Sequence, residues 1–216
     1  MNLNNIIRIF QVPIQTLVVG TNHSNRTQYF RDPSGYDICK DKIIYLGSKG
    51  IYTTRSGLSI AYLSGLEEKQ DKNNKRLKKS DDDSASGQED EFVRFSLKDA
   101  DSLISNWDKR NVGECLDILI TNQWPKYIEK LSNQQLDNNL NSEKFGSEAI
   151  SYLAMQLKPR YHFSATENIF FERIPYRNHQ VLMEKEKNVT RFLALGKANP
   201  KNKPKVNIFS LLENRE

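Results

Sequence analysis

Residues 157–178 read LKPRYHFSATENIFFERIPYRN, and the parsing of this run decides the fold. It crowds Pro159, Arg160, Tyr161, His162, Phe163, Phe170, Phe171, Arg173, Pro175, Tyr176 and Arg177 together without a helical 3.6-residue period or sustained alternation. Lys158-Pro159 stops whatever precedes it, because a proline pushes the residue ahead of it out of the α region. Residues 168–174, NIFFERI, are aromatic and β-branched enough for a strand, closed by Pro175, whose missing N–H cannot extend a ladder. His162 thereby falls on a short element between a helix end and a strand, where α/β proteins assemble their sites. Two readings of it stay open: a site residue, or a hydrogen-bonded histidine inside a half-buried strand.

Upstream, Ser147 caps a helix reaching about Leu157, with Ile150, Leu153, Ala154 and Leu157 facing inward. Residues 116–121, LDILIT, predict a buried strand ended by Trp124-Pro125, and residues 130–144 predict a loop. Ser96 with Asp99 three residues later forms a capping box for a helix through about Trp107. Its apolar stripe is Leu97, Ala100, Leu103, Ile104 and Trp107. Residues 14–20, 43–47, 51–53 and 58–65 predict short strands, the last three as a local antiparallel meander around the turn at 48–50. Residues 32–36 predict a loop, and Gly47, Gly50 and Gly57 read as turn residues, since no G-K-[ST] follows them. Downstream, residues 190–196 and 206–211 predict two closing strands around a lysine-rich turn.

The 216 residues suffice for one well-buried domain. No apolar run approaches the roughly 18 residues of a membrane span, so no membrane partner is expected. Residues 1–10 lack the basic flank and apolar core of a secretory leader, which predicts an intracellular chain. Cys39 and Cys115 have no metal-site spacing and read as thiols of a reducing compartment. Residues 67–91 hold six Lys or Arg against nine Asp or Glu and one large apolar residue, Leu77, which predicts a disordered charged insertion. Within it Lys75, Arg76, Lys78 and Lys79 form a candidate nuclear localisation signal. Residues 158–205 hold eleven basic residues against four acidic ones, suiting RNA phosphates, an acidic protein partner or simply a solvated face.

VPIQTLVVGTNH from residue 12, YLGSKGIYTTRSGLSIAYLSG from residue 45, DILITNQWPK from residue 117, LKPRYHFSA and FFERIPYRN above, and TRFLALGKANPKNK from residue 190 occur in that order. Together they resemble the N-terminal, metallophosphoesterase-like domain of the Cwf-nineteen-like splicing proteins, the family of the lariat-debranching-enzyme-associated ribonuclease. The resemblance implies an α/β, metallophosphoesterase-like mixed-sheet sandwich over residues 12–211, lacking the first strands that carry D-x-H and a bridging Asp in active enzymes. It places one site motif at Asn22 and His23 and another near His162, with Thr121 and Asn122 where an active enzyme has a histidine ligand. Asn22, His23 and His162 are thus vestigial metal-site candidates. No catalytic residue and no cofactor are expected, because two ions about 3.5–4 Å apart need a larger ligand set.

The role implied is a non-catalytic accessory of pre-mRNA splicing and intron-lariat turnover in the nucleus. Such a pseudoenzyme binds and stimulates the RNA lariat debranching enzyme alongside spliceosomal proteins, with intron-lariat RNA as a further partner. Contact candidates are Arg160, Tyr161, His162, Arg173, Tyr176 and Arg177, because Arg and Tyr dominate contact energetics in protein and RNA interfaces. Two alternatives differ in class: a residual metal-dependent phosphoesterase or nuclease using Asn22, His23 and His162, and a direct RNA-binding module on the basic C-terminal third. His162 with Ser164, or His179 with Glu184, can also be drawn as reactive pairs, but nothing in the sequence fixes their geometry.

Overall fold

Strong local signals become elements at their expected places. The amide and hydroxyl of Ser96 both donate to Asp99 Oδ2, at 2.8 and 2.9 Å, and start helix α1, Leu97–Arg110. Ala100, Leu103 and Trp107 are buried along its inner stripe, whereas Leu97, in the first turn, is 53% exposed and leaves that stripe. Ser147 Oγ accepts from the Ile150 amide at 3.0 Å and opens helix α3, Glu148–Leu157, whose inward residues are those expected. Lys158 closes it in a left-handed conformation ahead of Pro159. A four-residue helix α2, Ser142–Phe145, replaces part of the loop predicted before it.

The computed structural model describes residues 14–20, 30, 32–40, 42–68, 93–110, 115–132, 141–177 and 189–196. The localisation signal, the insertion from residue 69 onward, the closing strand at 206–211, and Asn22, His23 and His179 lie outside the described residues. Among the described residues no helix is long and apolar enough to cross a membrane.

Eleven short strands build the described sheets. Strands β1 (Thr16–Val19), β2 (Tyr36–Cys39) and β3 (Ile43–Gly47) form a three-stranded sheet, parallel between β1 and β3 and antiparallel between β2 and β3. The larger sheet comprises β4 (Lys49–Thr53), β5 (Ser59–Leu63), β8 (Ile118–Thr121), β9 (Tyr161–Ser164), β10 (Phe171–Glu172) and β11 (Arg191–Ala194). Their order is β10-β11-β9-β8-β5-β4, with a parallel centre and one antiparallel strand at each edge. The α/β class with mixed sheets is therefore what the chain adopts.

Three details differ from expectation. β3 and β4 are not meander neighbours: the chain leaves one sheet and enters the other across Ser48, with Gly47 at φ +97, a value open to glycine. The run NIFFERI forms a strand only at Phe171 and Glu172, because Thr166 ahead of it and Asn168, its first residue, take positive φ. Glu67 belongs to the ordered chain rather than to the insertion, on the short strand β6 (Leu66–Glu67), which pairs in parallel with β7 (Arg94–Phe95).

Burial explains why β5 reads as a continuous apolar run: all five of its residues are buried, as in parallel strands covered on both faces. Helices α1 and α3 cover one face, closing an aliphatic core around Ala61, Leu63, Leu119, Leu153 and Leu157. On the other face of β5, Tyr62 donates its hydroxyl to the Leu46 carbonyl at 2.5 Å and ties in the small sheet. A second core, Trp124, Phe171, Phe192, Ala194 and Ile128, sits toward the β11 edge.

Candidate functional site

Parallel strands deliver their carboxyl ends to one side of a sheet, and several polar groups gather there. Asn122, just past β8, accepts the Gly65 amide on its Oδ1 at 2.6 Å. Its backbone carbonyl receives the Ser164 and Thr166 hydroxyls, at 3.1 and 3.0 Å, and the Ala165 amide at 3.2 Å. Thr166 holds φ +86, a conformation costly for a β-branched residue, which the surrounding bonds keep in place. Glu167 follows, its carboxyl raised above the usual range by burial and partly restored by the Thr166 hydroxyl. On the β1 side, Gly20 approaches so closely that a Cβ there would lie 2.6 Å from Ser64 Oγ.

His162 occupies the middle of β9, in register with Leu119 on β8 and Phe192 on β11, so its ring lies under the helices. It is 0% exposed, meets Phe192 edge to face at 5.2 Å, and has Nε2 at 2.9 Å from Thr121 Oγ1. Thr121 Oγ1 also lies 2.9 Å from the Gln123 carbonyl, so this one hydroxyl bridges the imidazole to the backbone beyond β8. Among the described residues Nδ1 has no hydrogen-bond partner. Burial lowers the imidazole from its ordinary value of 6.5 to about 3, so it stays neutral in the folded chain.

The half-buried-strand reading of His162 is therefore the one the geometry bears out. As a contact residue it fails, because a ring with no exposure touches no partner, and as a ligand it offers no accessible nitrogen. Thr121 does bring Ser164 within 3.3 Å of the same hydroxyl, but this chain of three polar groups is sealed from solvent. Among the described residues, no group of three or more His, Cys, Asp or Glu is placed to hold a metal ion.

The remaining contact candidates separate by strand alternation. Tyr161 faces away from His162, stacks on Phe163 at 6.3 Å and pairs in register with Ile118 and Arg191. Arg160 lies at the opposite strand end, 3.6 Å from Asp117, whose carboxylate also receives the Ser59 amide and hydroxyl. Arg173 and Tyr176 come together, the guanidinium carbon 4.0 Å from the ring centroid, while Arg177 is exposed beside them.

Sequence reasoning missed Tyr127 and Lys130, which the structure places in the same neighbourhood. Lys130 Nζ stands 3.7 Å above the Tyr127 ring, and Arg173 donates to the Lys130 carbonyl at 2.9 Å. The available signal was the lysine at each side of Tyr127, one residue before and three after. Also unforeseen is a cleft of about 470 Å³ lined by Glu67, Glu68, Ser96, Lys126, Lys144 and Glu148. Glu67 crosses its floor to accept the first amides of α3, from Glu148 at 3.0 Å and Ala149 at 3.3 Å.

No protein-family model matches the chain. It is 39% identical over 203 residues to CWF19-like protein 1 of Pongo abelii, covering 94% of this chain and 34% of that protein. A CWF19-like protein 1 homolog of Caenorhabditis elegans is 33% identical, with 86% of this chain and 30% of the relative covered. Zinc finger CCCH domain-containing protein 64 of Arabidopsis thaliana is 26% identical over 208 residues, covering 90% of this chain and 30% of its own length. The chain thus spans about a third of the length of the curated relatives it matches. Among solved structures, TT1561 of Thermus thermophilus aligns with 84% of this chain and 62% of its own, at 12% identity and a TM-score of 0.47.

Proposed function

From the premise that this chain belongs to the CWF19-like protein family, through a segment about a third of its relatives' length, we propose that it is a non-catalytic accessory module of pre-mRNA splicing. In this reading it acts in the nucleus on intron-lariat turnover, binding and stimulating the RNA lariat debranching enzyme in the company of spliceosomal proteins. The observation that carries it is 39% identity sustained over 94% of the chain. The geometry supports the non-catalytic part. Thr121 and Asn122 at the end of β8 serve as hydrogen-bonding anchors for the β5 and β9 ends, and His162 is committed to Thr121 inside the core.

Arg160, Tyr161, Arg173, Tyr176 and Arg177 remain the proposed contact residues, with intron-lariat RNA as a second partner. The test is branched-RNA hydrolysis by purified debranching enzyme with and without residues 1–216, plus a control holding this chain and manganese alone. Stimulation only in the presence of the enzyme is the expected result. Absence of stimulation by a folded chain would overturn the proposal, and cleavage in the control would replace it with a nuclease reading.

A further inference from the structure

Two cations are held on two tyrosine rings side by side on one surface. Lys130 Nζ lies 3.7 Å from the Tyr127 centroid, Arg173 Cζ lies 4.0 Å from the Tyr176 centroid, and the Arg173–Lys130 hydrogen bond joins the pairs. Next to them in sequence, Leu131 is 101% exposed and Ile174 is 51% exposed. Leu131 also holds φ +61, a left-handed conformation that a bulky side chain seldom adopts, with its apolar group turned fully into solvent. Backbone outliers of this kind are retained where the surroundings over-determine them, and often mark function.

The charge balance is specific. Stretches 126–131 and 172–177 carry four cationic residues against two glutamates, Glu129 and Glu172, but Lys126 is paired with Glu148 at 2.7 Å and Tyr127 donates to Glu143 at 3.1 Å, so the cations this surface offers are Lys130, Arg173 and Arg177. Glu129 is already engaged, its carboxylate receiving the Ser142 amide at 3.2 Å as well as the Ser142 hydroxyl. A cation already stands over each tyrosine ring and takes up a face on which an unpaired base would stack. What the surface presents instead is fixed positive charge bracketing exposed aliphatic side chains, with Arg and Tyr at its centre, the composition of a protein-binding hot spot.

We infer that the surface formed by Tyr127, Lys130, Leu131, Arg173, Ile174 and Tyr176 docks an acidic segment of a partner protein, with its carboxylates on Lys130 and Arg173 and an apolar side chain against Leu131 and Ile174. The cation–π pairs fix the cations before the partner arrives, which reduces the ordering entropy of association. This inference rests on the reading of the chain as an interaction module and supplies the chemistry of its partner.

The test selects peptides of about a dozen random residues, displayed on phage, against the immobilised 216-residue chain. Enriched peptides are expected to carry Asp or Glu around a large apolar residue. A labelled copy of such a peptide should bind roughly tenfold or more weakly to Lys130→Glu and to Leu131→Gly, which keeps the backbone conformation and deletes the side chain. It should bind unchanged to Met155→Asp, a substitution at an exposed apolar residue on α3. Failure to enrich, enrichment of basic peptides, or equal binding by the variants would overturn the inference. So would loss of single-stranded poly-uridine binding in the same two variants, which would make the surface a nucleic-acid site. If the wild-type chain and both variants stimulate debranching equally, the surface falls and the proposed function stands. If no chain stimulates but acidic peptides are selected, the surface stands and the function falls.

Discussion

The aliphatic core under α1 and α3 and the aromatic core at the β11 edge are buried to the same degree, yet they are built differently. The first consists mostly of Ala, Leu and Ile side chains, with Phe95 and Trp107 buried among them and Ile51 and Ile104 at its border. The second packs Trp124 against Phe145, Phe171 and Phe192, at 5.5 to 5.8 Å between centroids, and borders His162. Trp124 Nε1 and His162 Nδ1 are both buried there and find no hydrogen-bond partner among the described residues. Each such group costs about 1–3 kcal/mol against a satisfied alternative, so equal burial is not equal stability. The His162 ring stands between the two, in register with Leu119 and edge to face with Phe192, while the indole N–H of Trp124 belongs to the aromatic core alone.

The largest test of that contrast is truncation. Trp124→Ala is expected to lose about 3–5 kcal/mol and Leu153→Ala about 2–5 kcal/mol in urea unfolding, because both leave a cavity in a packed core. Trp124→Phe deletes an N–H that has no acceptor among the described residues and should lose less than half as much as Trp124→Ala. Equal losses for the two tryptophan variants would break the contrast.

Acid sharpens it next. The imidazole of His162 sits at about 3 in the fold against 6.5 outside it, so the unfolded chain takes up the proton first. Its contribution to stability is whole above pH 6.5 and falls as the pH drops toward 3, by up to about 1.4 kcal/mol per pH unit. Unfolding followed by circular dichroism across this window should show the slope in the wild-type chain and in Leu153→Ala, and a shallower one in His162→Gln. A slope unchanged by His162→Gln would remove the histidine from the account.

Smaller effects belong to the aliphatic side. Asp99→Ala breaks the start of α1 and is expected to cost about 1 kcal/mol in thermal or urea unfolding. Burial raises the Asp99 carboxyl, but hydrogen bonds from Lys49 and Ser96 outweigh this and hold it below its ordinary value. Lys49→Met removes only the half-exposed partner of the 2.5 Å ion pair with Asp99 and should cost less than about 1 kcal/mol, falling further in high salt.

Legibility in the sequence followed the range of the signal. Helix α3, the Ser96–Asp99 start of α1, and β3 are specified within a few neighbouring residues, and their places were readable. Strand β2 was not, because YDIC has neither alternation nor a long apolar run and pairs only along β3. The fate of His162 depended on Leu119, Thr121 and Phe192, which are separated from it by about thirty to forty residues and meet it only through strand register. The Arg173–Tyr176 surface was half legible, since its tyrosines and arginines were evident but the Tyr127–Lys130 half came from another loop.

The parallel pairing of Leu66 with Arg94 and of Glu67 with Phe95 fastens the two flanks of the charged insertion side by side, and Glu67 is fastened again at the head of α3. Closure entropy grows only with the logarithm of loop length, so doubling what lies between these clamps costs on the order of 0.6 kcal/mol. The position is therefore a natural port for engineering: a fluorescent domain, an affinity tag or a protease site grafted between the clamps can be added without taxing the sheets on either side.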